Sequence, residues 1–367
     1  MSDVVTEVKS NIGLITLNRP KTLNALSLSM VRDLTACLLA WRDNPQVLAV
    51  AVRGSHKEGV FGHFCAGGDI RFFHQAALAG DPSLEDFFTE EYTLNHLVHT
   101  YPKPYMAFMD GIVMGGGMGL SQGAAFRLVT ERTQMAMPET HIGLFPDVGG
   151  GYFLSRLAGS CGEFLGLTGQ VLSGEEAVAV GLADGHAASH RLPALWEGLG
   201  QQSWRDGAAA LQWLRAQVDT QAPAAPAWLH ADMHRIFALP SMVQMLDALG
   251  EMASVPHPQA PWAHATLDVL RQRSALMLCV VLHQIRLARG MGLSDDLRME
   301  RNMVRHCFHG RPIADCETVE GIRARVVDKD KQPRWKPARV EDVNAEEVAS
   351  FFVPPWPDHA HPLRGLR

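Results

Sequence analysis

The stretch "MPETHIGLFPDVGGGYF", Met137 to Phe153, holds two carboxylates, Glu139 and Asp147, eight residues apart among mostly apolar neighbours. An ionised carboxylate in such surroundings is costly unless it is paired, hydrogen-bonded or used chemically, so both acids require an account. Each has an ordinary one by itself: Glu139 as a charge at a helix start or in a salt bridge, Asp147 as the turn residue after Pro146. Upstream lie two glycine-rich tracts, "FCAGGD" from Phe64 to Asp69 and "GGGMG" from Gly115 to Gly119. Glycine lets backbone N–H groups approach a ligand with no side chain in the way, and one N–H from each tract can converge on a single carbonyl oxygen as an oxyanion hole. Either tract alone reads equally well as a tight turn. Two acids and two such tracts together favour acyl transfer at an activated carbonyl.

Other motifs compete less well. "GLSQG", Gly119 to Gly123, fits the nucleophile-elbow pattern G-x-S-x-G, but the three glycines before it would place Ser121 inside a helix rather than at the sharp turn. The second tract does not match G-x-G-x-x-G, because Gln122 stands where glycine or alanine is needed, which disfavours a dinucleotide site. "HCFH" (His306 to His309) and "HAHP" (His359 to Pro362) lack a third ligand at metal-binding spacing and read as surface or packing histidines.

The elements that must position these residues follow from periodicity and punctuation. "VVTEVKS" and "IGLITLN" read as a hairpin around Asn11, followed by a turn at "NRPK". Ser27 or Ser29 caps a helix through Trp41, and "VLAVAVRG" is a buried strand. The loop "GSHKEGVFGHFCAGGDI" leads into helices over Arg71 to Ala79 and Leu84 to His99, and "YMAFMDGIVM" reads as one strand. "RLVTE" and "QMAM" are short strands, Ser173 is an N-cap, and the stretch from Gln217 to Trp228 is a Pro/Ala-rich connection. Helical pattern then dominates up to about Cys307, and the charged tail carries Trp335, so it is expected to dock.

The motifs "LNRPKTLNAL", "FCAGGDIR", "EEYTLN", "YPKPYMAFMDGIVMGGGMGLS", "MPETHIGLFPDVGGGYFLSRL" and "VVDKDKQPRWKPA" together resemble the crotonase (enoyl-CoA hydratase/isomerase) superfamily along almost the whole chain. The resemblance is closest to its branch of 3-hydroxyacyl-CoA hydrolases, since ordinary hydratases are shorter and lack the last of these segments. It implies an α/β fold: a crotonase-like spiral of ββα units in an acyl-CoA-binding catalytic core over residues 1–200, then a mainly helical C-terminal region with a charged tail over 201–367. The implied oxyanion donors are Ala66, or its neighbour Gly67, and Gly116. Glu139 falls on the family's catalytic glutamate, Asp147 on the aspartate of the hydrolase branch and Glu91 on a residue lining the acyl pocket; Gly68, Asp69 and Gly115 belong to the substrate-binding set. A hydratase of this superfamily carries a further glutamate twenty residues before the first of these acids, and here that position is Gly119. Hydrolysis of a short 3-hydroxyacyl-CoA, above all 3-hydroxyisobutyryl-CoA in valine breakdown, is therefore the expected activity. Enoyl-CoA hydration is the alternative. Coenzyme A would enter as part of the substrate, with no cofactor and no metal, and the resemblance implies a homo-oligomer, trimer or hexamer.

Bulk composition agrees with a globular enzyme. The chain has 367 residues, 47% of them hydrophobic, and a net charge of −6 without a long basic run, which excludes a dominant field for nucleic acid or anionic membrane. The six cysteines form no C-x-x-C pair, and the N-terminus shows neither a signal peptide nor a basic transit peptide, so a reducing cytosol is the expected compartment.

Overall fold

The computed structural model describes residues 2–57, 61–221 and 223–367; part of the first glycine-bearing loop, Glu58 to Val60, and Ala222 of the Pro/Ala-rich connection lie outside the described residues. Two compact units interleave along the chain. One takes the residues up to Asp69, Glu90–Ala136 and Val171–Ala225, the other Ile70–Thr89, Met137–Gln170 and Pro226–Arg367.

The first unit is built on strands β1 (Val4–Lys9), β2 (Ile12–Leu17), β3 (Ala49–Gly54), β4 (Tyr105–Met109), β5 (Ile112–Met114), β6 (Phe126–Val129), β7 (Gln134–Ala136), β8 (Leu172–Ser173) and β9 (Gly185–His186). β1 and β2 form the expected hairpin, with Lys9 opposite Ile12. Its two turn residues, Ser10 and Asn11, have φ of 46° and 68°, the left-handed pair whose twist matches that of the strands. The larger sheet runs β1-β2-β3-β4-β6-β9 and the smaller β5-β7-β8. From β2 to β9 every neighbour in the larger sheet is parallel. Its central strands are buried almost throughout, as parallel strands covered on both faces must be.

On one face, Leu14, Ala51, Met106, Phe108 and Leu128 meet Leu195, Trp196, Leu199 and Leu214 from the helices Leu192–Gln201 and Gly207–Ala216. Alternation along β2 turns Gly13 to the other face. There it meets Trp41 of the helix Leu28–Arg42, whose N-cap is Ser27, accepting from the Met30 N–H at 3.3 Å.

The run "YMAFMDGIVM" is not one strand. The chain turns at Gly111, with φ of 59°, where a Cβ would lie 2.6 Å from His63 Nδ1. β4 thus joins the larger sheet and β5 the smaller; burial of both halves masked the break, and Asp110-Gly111 was the turn signal. The Pro/Ala-rich connection is anchored at its start, where Asp219 and His186 exchange backbone hydrogen bonds of 2.7 and 3.0 Å.

The second unit is helical. The helix Cys161–Thr168 packs on Ala275–Ala288, Met242–Ser254 on Ala260–Arg271, and Phe164 stacks on Trp228 with centroids 5.0 Å apart. Phe72, Phe73, Phe87, Phe88 and Phe308 form an aromatic cluster. Trp335 docks as expected, donating Nε1–H to the Gln272 carbonyl at 3.0 Å. Further on, Trp356 lies under the Arg301 guanidinium at 4.8 Å.

Gly13 has no room for a side chain, since a Cβ there would sit 2.4 Å from Trp41 Cε3. Overpacking of this kind costs about 1–3 kcal/mol, so Gly13→Ala should lower the urea midpoint of unfolding followed by tryptophan fluorescence.

Candidate active site

In the first unit the two glycine tracts are brought side by side by backbone pairing. The Cys65 N–H donates to the Ile112 carbonyl and the Met114 N–H to the Cys65 carbonyl, both at 3.0 Å, so the first tract runs along β5 toward Gly115. From the other side the Leu26 N–H donates to the Gly67 carbonyl at 2.8 Å and the Asp69 N–H to the Leu26 carbonyl at 3.0 Å. Gly67 has φ of 101°, a conformation that favours glycine. Its Cβ position lies 3.5 Å from Gly116 N, and that of Gly116 lies 3.4 Å from Gly68 N and 2.5 Å from Glu91 Oε1. Gly67, Gly68, Gly115, Gly116 and the buried Glu91 therefore form one cluster.

Two of the expected residues take other parts. The Ala66 N–H donates to the Leu23 carbonyl at 3.1 Å, so it is spent within the fold and is not a free oxyanion donor. Among the described residues, the N–H groups of Gly67, Gly68 and Gly116 have no such acceptor, so Gly67, the alternative given beside Ala66, and its neighbour Gly68 stay available as donors. Asp69 binds Arg19 at 2.8 Å, and the same guanidinium donates to the Ala25 carbonyl at 3.0 Å. That pair ties the loop down.

In the second unit Glu139 opens a 3-10 turn, Glu139–Ile142, and is 6% exposed. The turn is fixed by groups distant in sequence. Thr140 Oγ1 donates to the Leu167 carbonyl at 3.2 Å, and the His141 imidazole lies 3.4 Å from the Thr168 carbonyl, which also accepts from Arg273 at 3.2 Å. These carbonyls are the last of the helix Cys161–Thr168, the end that attracts donors and positive charge. From the C-terminal segment, Thr318 Oγ1 donates to the Gly143 carbonyl at 2.7 Å. Gly143, at φ of 66°, has room for no Cβ, which would lie 2.5 Å from the Glu317 carbonyl oxygen. Burial, reinforced by the nearby charges of Arg273 and Arg325, pushes the His141 pKa down to about 3. Burial likewise lowers that of Arg273, to about 9.

Asp147, 5% exposed, begins the next turn, where its carbonyl accepts from the Gly150 N–H at 2.8 Å. Val148 and Gly149 follow with φ of 57° and 87°. The turn is gripped by carboxylates absent from the expected site. Glu300 accepts from the Gly149 N–H at 2.7 Å and the Gly151 N–H at 2.9 Å, while Asp296 accepts from the Tyr152 N–H at 2.9 Å. Their signal was present in the sequence: Asp296, Glu300, Met303 and Cys307 share a helical face, and two acids on an apolar face are unusual.

The competing motifs are absorbed by the fold. Ser121 is fully buried and donates its hydroxyl to the Gly117 carbonyl at 2.9 Å, as a helix serine does. His306 lies 2.8 Å from the Val353 carbonyl, His309 2.9 Å from Glu85, and His361 3.1 Å from Asn302 Oδ1.

The buried imidazole makes a testable contribution to stability. Below its ordinary pKa of 6.5 the unfolded chain protonates His141, whereas the folded chain refuses that proton until about pH 3. Stability linked to this group is thus present above 6.5 and lost as the pH falls through that window. His141→Gln should flatten the acid limb of stability against pH by up to about one proton in slope, read by chemical denaturation at a series of pH values.

Comparison with known proteins identifies the family and the fold. A family model described as enoyl-CoA hydratase/isomerase matches residues 12–352. The chain is 38% identical to the mitochondrial 3-hydroxyisobutyryl-CoA hydrolase of Gallus gallus, over 96% of this chain and 89% of that one. It is 40% identical to 3-hydroxyisobutyryl-CoA hydrolase 1 of Arabidopsis thaliana, over 96% and 91%. Among solved structures, a carnitinyl-CoA dehydratase from Mycobacterium thermoresistibile is 33% identical with a TM-score of 0.85, covering 97% of this chain and 98% of that one. An enoyl-CoA hydratase from Rhodobacter sphaeroides 2.4.1 is 34% identical with a TM-score of 0.82, covering 96% and 98%. The expected α/β fold with a helical C-terminal region is borne out, and the chain belongs to the enoyl-CoA hydratase/isomerase family.

Proposed function

We propose that this chain hydrolyses the thioester of 3-hydroxyisobutyryl-CoA, giving 3-hydroxyisobutyrate and coenzyme A. The observation that carries the reading is the acid pattern: Glu139 and Asp147 are both buried, and Gly119 stands where a hydratase of this family carries its first glutamate. The names of the chicken and Arabidopsis relatives support it over nearly the full chain.

In this mechanism the thioester oxygen accepts the N–H groups of Gly68 and Gly116, which stabilise the negative charge that develops on it. Glu139 attacks the carbonyl carbon, the carbon–sulfur bond breaks, and the thiolate of coenzyme A leaves and takes up a proton. Water then cleaves the resulting mixed anhydride and restores the Glu139 carboxylate. In the general-base variant Glu139 instead removes a proton from the attacking water. Asp147 binds the 3-hydroxyl, orients water, or passes the proton to the departing thiolate. Glu91, beside Gly116, lines the acyl group. Coenzyme A is part of the substrate, and no step calls on a metal or a resident cofactor.

Valine breakdown as the pathway and a homo-oligomer, trimer or hexamer, belong to the same proposal. So does a reducing compartment, expected as the cytosol: all six cysteines are free thiols. The word "mitochondrial" in the chicken relative's name belongs to that protein. Among the described residues no helix is long and apolar enough to cross a membrane.

Similarity to the carnitinyl-CoA dehydratase and the enoyl-CoA hydratase favours a second reading, hydration or dehydration of an acyl-CoA. Thiol release from 3-hydroxyisobutyryl-CoA and from crotonyl-CoA, followed with a thiol-reactive dye, separates the two. The expected result is release from the hydroxyacyl thioester alone, reduced about 10²–10⁴-fold in Glu139→Gln. Gly116→Ala, which forces Glu91 to move, should cost about 10²–10³-fold. Hydration of crotonyl-CoA without thiol release would overturn the hydrolase reading.

A further inference from the structure

We infer that Asp296 and Glu300 are positioning residues for Asp147: their carboxyl groups hold the Pro146–Tyr152 turn by its backbone N–H groups and so fix where the Asp147 side chain can act. This rests on the proposed role of Asp147 in the hydrolysis.

Both acids lie on the helix Leu293–His309, four residues apart on one face, and both are fully buried. Glu300 uses one oxygen for the Gly149 N–H at 2.7 Å and the other for the Gly151 N–H at 2.9 Å. Gln284 braces the same turn, donating to the Pro146 carbonyl at 2.7 Å and to Glu300 Oε1 at 3.2 Å. Asp296 takes the Tyr152 N–H at 2.9 Å.

Such a pair is a costly way to fill space. Burial pushes both pKa values upward; repulsion from Asp296 and the charge of Asp147 drive Glu300 further, while Arg156 eases Asp296. Apolar residues of similar volume would avoid that cost. The turn explains the acids. Val148 is a β-branched residue held at φ of 57°, a strained conformation that persists only where the surroundings impose it. Gly151 leaves room for the clamp, because a Cβ there would lie 2.4 Å from Asp296 Oδ1. The donors come from residues 149, 151 and 152, immediately after Asp147, and the acceptors from about 150 residues downstream. A local cap would have needed no such partner.

The test compares wild type with Glu300→Gln, Asp296→Leu and Asp296→Asn by steady-state thiol release from 3-hydroxyisobutyryl-CoA and by hydrogen exchange of the peptide spanning residues 146–154. Circular dichroism establishes the folded fraction of each. Glutamine has one accepting oxygen where glutamate has two, so Glu300→Gln should lower kcat about 10–100-fold with KM nearly unchanged and speed exchange in that peptide. Asp296→Leu should do the same, and Asp296→Asn, whose amide oxygen still accepts from Tyr152, should recover most of the loss. Wild-type kcat and exchange in Glu300→Gln would overturn the inference, as would losses that merely follow the folded fraction. If wild type releases no thiol, the hydrolase reading fails; exchange in the peptide then decides alone whether the carboxyl pair clamps the Asp147 turn.

Discussion

A carboxylate kept out of bulk water cannot rely on solvent to orient it, and Glu139 is held through its backbone. The 3-10 turn that it opens is tied by Thr140 and His141 to the last carbonyls of one helix and by Thr318 to a segment near the end of the chain. Helix ends carry carbonyls with no partner of their own, so each of these donors satisfies a need that exists whether or not chemistry occurs. The stability of the second unit and the placement of Glu139 are thereby served by the same bonds. His141 shows what this demands of a side chain, since only the neutral imidazole is tolerated where it sits.

The glycine tracts work by a complementary rule. Gly67 and Gly116 approach so closely that a Cβ on either would touch the backbone of the other tract, and Glu91 fills the remaining space beside Gly116. Side chains are excluded at these positions by the close approach of the two backbones. Ala66 shows how narrow the margin is: one residue earlier in the same tract, the N–H is already committed to Leu23.

Local features were the legible ones. The Ser10-Asn11 hairpin, the Ser27 cap and the Ser173 capping box each depend on residues within a few positions, and short-range rules suffice for them. Glu139 and Asp147 stood out because acids are rare in apolar sequence. Three things were not legible. The break at Gly111 was hidden because β4 and β5 are both buried and read as one apolar run. The engagement of the Ala66 N–H depends on where Leu23 places its carbonyl, which no motif encodes. The grip of Asp296 and Glu300 on the Asp147 turn spans about 150 residues, beyond the reach of any local pattern.

The docking of Thr318, Gly321 and Trp335 around the Glu139 turn sets an order of events during synthesis. Glu139 leaves the ribosome long before the residues that brace it, with Thr318 about 180 positions behind, a delay of roughly 10–40 s at about 5–20 residues per second. A nascent or prematurely terminated chain can complete its hairpin and its first helix while Glu139 still lacks its support from the C-terminal segment. The geometry of the Glu139 turn is thus coupled to synthesis of the segment that carries Thr318 and Trp335, and a chain released before it lacks those braces.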